Sequence, residues 1–248
     1  GNISAGKTTL CRLLEKRWGY DFYPEEVDEL VLNYYYGDRR KHAYNTQVFF
    51  LSSRFRNWWH MTISPRSAVT DRIKEEDIHI FTEKNYRDGF LTKSEKMIIT
   101  HQFDAMKHRI PEPDLVIYPH TEVDELKCRI EKRLLAEGRV RESERGLLAD
   151  ADTYLEDLNG LYEEFYPVYK GNKLRIESKD WRLVNDDGSI RFESEAADAL
   201  LALIREVVAY AEDRFGGLDK KVDFSLTTNA TLLNEEIVDW LDTHRFGL

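Results

Sequence analysis

The chain opens on Gly1-Asn2-Ile3-Ser4-Ala5-Gly6-Lys7-Thr8, which fits G-x-x-x-x-G-K-[ST]. Residues of these types at this spacing form an anion cradle. The glycines let successive backbone N–H groups turn inward, Lys7 adds a movable positive charge, and Thr8 offers a hydroxyl to a magnesium ion. Leu10-Cys11-Arg12-Leu13-Leu14 reads as the first turns of a helix whose positive end faces the phosphates. The expected phosphate-binding residues are therefore Gly1, Asn2, Ile3, Ser4, Ala5, Gly6, Lys7, Thr8 and Thr9. Glu25, Asp71 and His120 each sit just after a predicted strand. In open α/β sheets the site lies beyond the carboxyl ends of the strands. A polyphosphate cradle, a metal, and a carboxylate that takes a proton from a hydroxyl together describe phosphoryl transfer.

These residues need elements to hold them. Short strands are predicted at 20–23, 67–70, 114–118 and 173–177. Helices are predicted at about 29–36, 41–60, 94–108, 123–137, 152–166 and 194–214. Strands alternating with helices argue for an α/β fold, a doubly wound parallel sheet with flanking helices of the P-loop NTPase type. No strand precedes Gly1 and no initiator Met is present, so the chain is expected to be cut from something longer. The first strand, central in such a sheet, is then missing from the N-terminus.

Composition narrows the class. The 248 residues are 42% hydrophobic and 33% charged, which suits one α/β domain of ordinary size with a small appendage. No apolar run is long enough to span a bilayer, and no signal peptide is visible. The net charge of -10 disfavours a nucleic-acid polymer as partner and favours a small molecule. The two cysteines, Cys11 and Cys128, lie in predicted helices and read as thiols in a reducing cytoplasm.

Five segments together resemble the deoxyribonucleoside kinases of the bacterial deoxyadenosine/deoxyguanosine type, over about residues 1–204. They are GNISAGKTTL, PEEV, YYGDRRKHAYNTQVFFLSSRFRNW, VTDRIKEEDIHIF, and PDLVIYPHTEVDELKCRIEKR followed by YLEDLNGLYEEFY. The resemblance implies transfer of the γ-phosphoryl of ATP, with Mg2+, to the 5′-hydroxyl of a deoxynucleoside, a purine favoured. It implies that Glu25 is the general base, although the adjacent Glu26 stands where the family has Pro and either carboxylate suits the role. Asp71 would help hold the metal with Thr8, and Arg72 and Lys7 would steady the transferring group. Ile73 replaces the family's Ser. Tyr36 matches the contact to the sugar 3′-hydroxyl, Gln47 the two-pronged contact to the base, and Arg54 with Asp77 a pair beside it. Tyr44 and Phe81 are aromatic walls or plain core. Arg129, Arg133, Arg139 and Arg141 match a lid over the phosphates, in a segment longer than the family's compact lid. A homodimer is implied; the aromatic helix pair around Trp58 and Trp59 is a candidate for its interface, the alternative being plain core.

The tail departs from this pattern. Phe224-Ser225-Leu226-Thr227-Thr228-Asn229-Ala230-Thr231-Leu232-Leu233 resembles a strand and turn of radical S-adenosylmethionine maturases, without their cluster cysteines. Residues 205–248 are therefore expected to be an appended strand-helix fragment on a kinase-like domain at 1–204. Two other readings share the fold or the loop: a nucleoside monophosphate kinase of the thymidylate type, and a catalytically inactive nucleotide-binding scaffold.

Overall fold

Helix α1 (Lys7–Trp18) begins where the phosphate loop ends, and buries Leu10, Cys11, Leu13 and Leu14. Strand β1 (Asp21–Tyr23) leads through Pro24-Glu25-Glu26 to α2 (Glu29–Gly37). Asp38 then caps the long α3 (Arg39–Ile63), its carboxylate accepting from the Lys41 N–H. β2 (Ala68–Thr70) follows, then a helical stretch of three parts: α4 (Lys74–Glu76), a π-helix (Asp77–Thr82) and α5 (Glu83–Arg87). Beyond it come α6 (Lys93–Lys107), β3 (Leu115–His120), α7 (Val123–Glu137), α8 (Ala151–Val168), β4 (Lys173–Glu177), α9 (Glu195–Phe215) and β5 (Asp223–Ser225). These come from a computed structural model that describes residues 1–137, 151–185, 187–215 and 223–225.

The sheet is parallel throughout, in the order β1-β2-β5-β3-β4. The central place expected of a strand before Gly1 is taken by β5, with Phe224 opposite both Val69 and Leu115. The boundary expected at residues 204/205 falls inside α9. The tail beyond Ser225, with its Thr-Thr-Asn-Ala-Thr turn, lies outside the described residues.

Both faces of the sheet are covered, and β3 shows how. Leu115 and Ile117 join Leu13, Val69, Leu200 and Ile204 under α1 and α9. Val116 points the other way, to Leu51, Phe55, Trp58, Ile99 and Phe103 on α3 and α6. A strand buried on both faces reads as a continuous apolar run, and Leu-Val-Ile-Tyr does.

Two expectations need correction. Trp58 is 1% exposed and belongs to the core, whereas Trp59 is 52% exposed. The stretch between Arg72 and Thr92, for which no element is predicted above, is mostly helical. Its apolar residues Ile73, Ile78 and Ile80 do not repeat at 3.6 because the π-helix widens the turn. Among the described residues no helix is long and apolar enough to cross a membrane.

Candidate active site

The phosphate loop has the backbone that an anion cradle demands. Gly6, the N-cap of α1, has φ 93, and Ser4 has φ 60, both left-handed. Gly1 packs so closely on β3 that a Cβ there would lie 2.8 Å from Pro119 Cδ. Asn2 anchors the loop to α8, donating to Leu155 O at 2.9 Å and Asn159 Oδ1 at 2.6 Å. Lys7 is 8% exposed and folds back on the loop, donating to Gly1 O at 2.8 Å and Asn2 O at 2.7 Å. Burial and then the nearby Arg72 charge push its pKa down to about 8, against Glu76, Asp71 and Glu25. Gly6→Ala should abolish nucleotide binding, because a Cβ at that φ costs about 1–2 kcal/mol and turns the loop N–H groups away. A melting temperature that rises with Mg-ATP in this variant as in the wild type would contradict this.

Asp71, at the end of β2, joins the loop to the rest of the site. Its Oδ2 accepts from Thr8 Oγ1 at 2.9 Å, and its Oδ1 accepts from the Glu25 N–H at 3.0 Å. The end of β1 is thereby tied to the start of α1. Glu25 and Lys7 lie on one rim of the sheet.

The structure separates Glu25 from Glu26. Glu26 is exposed and pairs with Arg56. Glu25 Oε1 lies 2.8 Å from Arg72 Nε and 3.1 Å from Arg54 Nη2. The Arg72 N–H does not point at the oxygen, so that contact is an ion pair rather than an aligned hydrogen bond. Burial alone would raise the Glu25 pKa, but Arg72 and then Arg54 outweigh it and hold the carboxyl at about 2. Both arginines meet Oε1, which leaves Oε2 to accept from a hydroxyl.

Each arginine has a second anchor. Arg72 Nη1 donates to Glu76 Oε2 at 2.8 Å and to Tyr162 Oη at 3.2 Å, and its guanidinium lies 4.6 Å from the Phe81 ring centroid. Arg54 grips Asp77 in a fork, Nε to Oδ2 at 2.6 Å and Nη2 to Oδ1 at 2.9 Å. Burial opposes the Arg54 charge, yet Asp77 and Glu25 raise its pKa. Gln47 is 5% exposed, and its Oε1 has no hydrogen-bond partner among the described residues. A buried acceptor without a donor is costly unless a ligand supplies one.

Tyr36 and Phe81 pack together with Ile3 of the phosphate loop, whereas Tyr44 packs in the α3–α6 core. Arg129 donates to Ser178 Oγ at 3.0 Å and comes within 4.0 Å of a Cβ built on Gly6. Arg139, Arg141 and the side chain of Arg133 lie outside the described residues. His120 Nδ1 is 2.7 Å from Glu177 Oε2, and its Nε2 is 4.0 Å from Glu163 Oε1. Sequence reasoning missed Glu76 and Tyr162, the second anchors of Arg72. Glu76 follows Arg72 by four residues, the spacing at which such pairs form on helices, with Arg72 itself just ahead of α4.

A family model described as deoxynucleoside kinase matches residues 1–208. The chain belongs to the deoxynucleoside kinase family. This kinase is 32% identical over 196 residues to a deoxyadenosine/deoxycytidine kinase of Bacillus subtilis (strain 168), covering 77% of this chain and 85% of that protein. It is 29% identical over 209 residues to a deoxyguanosine kinase of Lactobacillus acidophilus, covering 82% and 85%. A solved structure of deoxyadenosine kinase from M. mycoides with bound dATP shares the fold, with a TM-score of 0.63 and 22% identity. That match covers 83% of this chain and 96% of the other. The enzyme transfers a phosphoryl group from ATP to a deoxynucleoside.

Proposed function

We propose that this kinase phosphorylates the 5′-hydroxyl of a purine deoxynucleoside, with Glu25 as the proton acceptor. The observation that carries the reading is the Asp71 bridge, which joins the loop hydroxyl of Thr8 to the backbone of Glu25. Oε2 of Glu25 takes the hydroxyl proton as the sugar oxygen forms its bond to the γ-phosphorus. The bond from that phosphorus to the β-phosphate oxygen breaks, and ADP leaves. Arg72, fixed by Glu76 and Tyr162, steadies the charge on the transferring group. Thr8 and Asp71 would hold Mg2+, whose chemistry is to neutralise the phosphate oxygens. Lys7 leaves the loop carbonyls for the phosphates, and Arg133, Arg139 and Arg141, which match the family's lid, would add positive charge to them.

Tyr36 lines the sugar, Gln47 pairs with the base edge, and Arg54 and Asp77 present donors and acceptors beside it. Both relatives named above carry purine deoxynucleosides in their names, which favours a purine here. Initial rates on the four deoxynucleosides and their monophosphates test this reading. Deoxyadenosine or deoxyguanosine should lead, and a preference for any monophosphate would overturn it. Thr8→Val should raise the Mg2+ concentration needed for half-maximal rate by about tenfold, since one hydroxyl near the ion is worth roughly 1–2 kcal/mol. An unchanged Mg2+ dependence would contradict the metal role of Thr8.

The protein also acts as a homodimer in this reading. Trp59, Ile63, Met97 and Ile98 are exposed apolar side chains on α3 and α6, which pack against each other. Cys11 and Cys128 are both free, consistent with a reducing cytoplasm.

A further inference from the structure

Arg39 is a charged side chain that the catalytic reading does not use. It is the first residue of α3, immediately after the tight turn at Gly37-Asp38. The turn folds it back against the helix it has just left. Its guanidinium carbon lies 5.4 Å from the Tyr36 ring centroid, 5.5 Å from Tyr154, and 5.9 Å from both Tyr35 and Phe90. Four rings from α2, α8 and the turn after α5 thus surround one cation, each within the range of cation–π attraction. The faces of those rings attract the charge but accept hydrogen bonds only weakly.

A guanidinium carries five N–H donors. Among the described residues, Arg39 has no hydrogen bond and no ion pair. The acids around the cage are engaged elsewhere. Asp38 accepts from the Lys41 N–H, while Asp88 and Asp157 pair with Lys84. The guanidinium of this half-buried residue is therefore held by rings, and no described protein group accepts from its N–H donors. The cage also borders the site, because Tyr36 and Tyr154 share a packed cluster with Phe81 and Ile3 of the phosphate loop. Arg39 is about 12 Å along the axis of α3 from Gln47, too far to share the base. The hydroxyl end of the acceptor belongs to Glu25. The sugar's 3′ oxygen, which the reading above gives to Tyr36 alone, is the polar part of a deoxynucleoside nearest the cage, since the Arg39 guanidinium lies against the Tyr36 ring.

We propose that Arg39 is a further acceptor-binding residue, donating a hydrogen bond to the 3′ oxygen of the sugar beside Tyr36. This rests on the reading of Tyr36 and Glu25 given above. It makes Arg39 a determinant of selectivity for acceptors that keep the 3′-hydroxyl.

The test is steady-state kinetics on 2′-deoxyadenosine and 2′,3′-dideoxyadenosine, with wild type, Arg39→Met and Arg39→Lys. Arg39→Met should raise KM for deoxyadenosine about tenfold, the scale of one charge-assisted hydrogen bond, and leave KM for dideoxyadenosine and for ATP unchanged. Arg39→Lys keeps the charge among the rings but moves the donors, so it should lower the same selectivity by a smaller factor. It carries the test if Arg39→Met melts early. Equal KM changes for both acceptors would mean that Arg39 only shapes the pocket, and would overturn the proposal. So would unchanged kinetics in a variant of a wild type that phosphorylates deoxyadenosine. A wild type that phosphorylates no deoxynucleoside overturns the underlying reading, and this proposal with it.

Discussion

Glu25→Gln should lower kcat by about 10²–10⁴ while nucleotide binding survives, the range expected on removing a positioned proton acceptor. The fold should tolerate the change. Arg72 keeps Glu76 and Tyr162, and Arg54 keeps its forked contact with Asp77. Mg-ATP should raise the melting temperature of the variant as it does for wild type, because only the folded state binds the nucleotide. The two arginines also predict an asymmetry with pH. A carboxyl held at about 2, below its ordinary 4.5, contributes stability that is full above 4.5 and lost as pH falls toward 2. Wild type should therefore lose more stability than Glu25→Gln over that window. Titration of Glu25 should produce no fall in rate at pH 5 and above. A Glu25→Gln enzyme with wild-type turnover would remove it from the mechanism, and parallel acid unfolding of both proteins would contradict its depressed pKa.

Asp77→Ala should be among the most damaging substitutions outside the phosphate loop. Arg54 and Asp77 are both almost wholly buried. Removing one partner of a buried pair leaves an uncompensated charge, at a cost of about 3–5 kcal/mol. For a chain of this size that lowers the melting temperature by about 6–20 °C. The double variant Arg54→Met with Asp77→Leu removes both charges and should recover much of that loss, since apolar replacement of a buried pair is often neutral or better. It should not recover selectivity among the bases. Thermal unfolding of the two variants, followed by rates on deoxyadenosine and deoxyguanosine, separates the structural from the recognition role. A double variant as unstable as Asp77→Ala would show that packing, rather than the stranded charge, sets the cost.

The phosphate loop was legible because its chemistry is local. Eight consecutive residues fix the turn, and Gly6 and Lys7 stand where the pattern requires. Strands β3 and β4 were legible from their apolar runs and flanking residues. Arg54 and Asp77 were legible through family resemblance, but their forked contact was not, since it spans from α3 to the π-helix. That π-helix was invisible for a physical reason: its wider turn breaks the 3.6-residue repeat on which helix recognition depends. The choice between Glu25 and Glu26 turned on which carboxylate faces Arg54 and Arg72, a tertiary fact that neighbouring identical residues cannot encode. The central place of β5 was also hidden, because strand order is set by long-range pairing. Arg39 was not legible because a basic residue after Gly37-Asp38 reads as ordinary helix-start surface.

The central claim is that an anion cradle and a proton-accepting carboxylate act together on a sugar hydroxyl. Proton-coupled phosphorus NMR of the product formed from Mg-ATP and deoxyadenosine tests it most directly. A phosphate on the 5′ oxygen couples to the two methylene protons and gives a triplet, which is the predicted result. A doublet from a 3′-phosphate, or inorganic phosphate with no nucleoside monophosphate, would contradict the account.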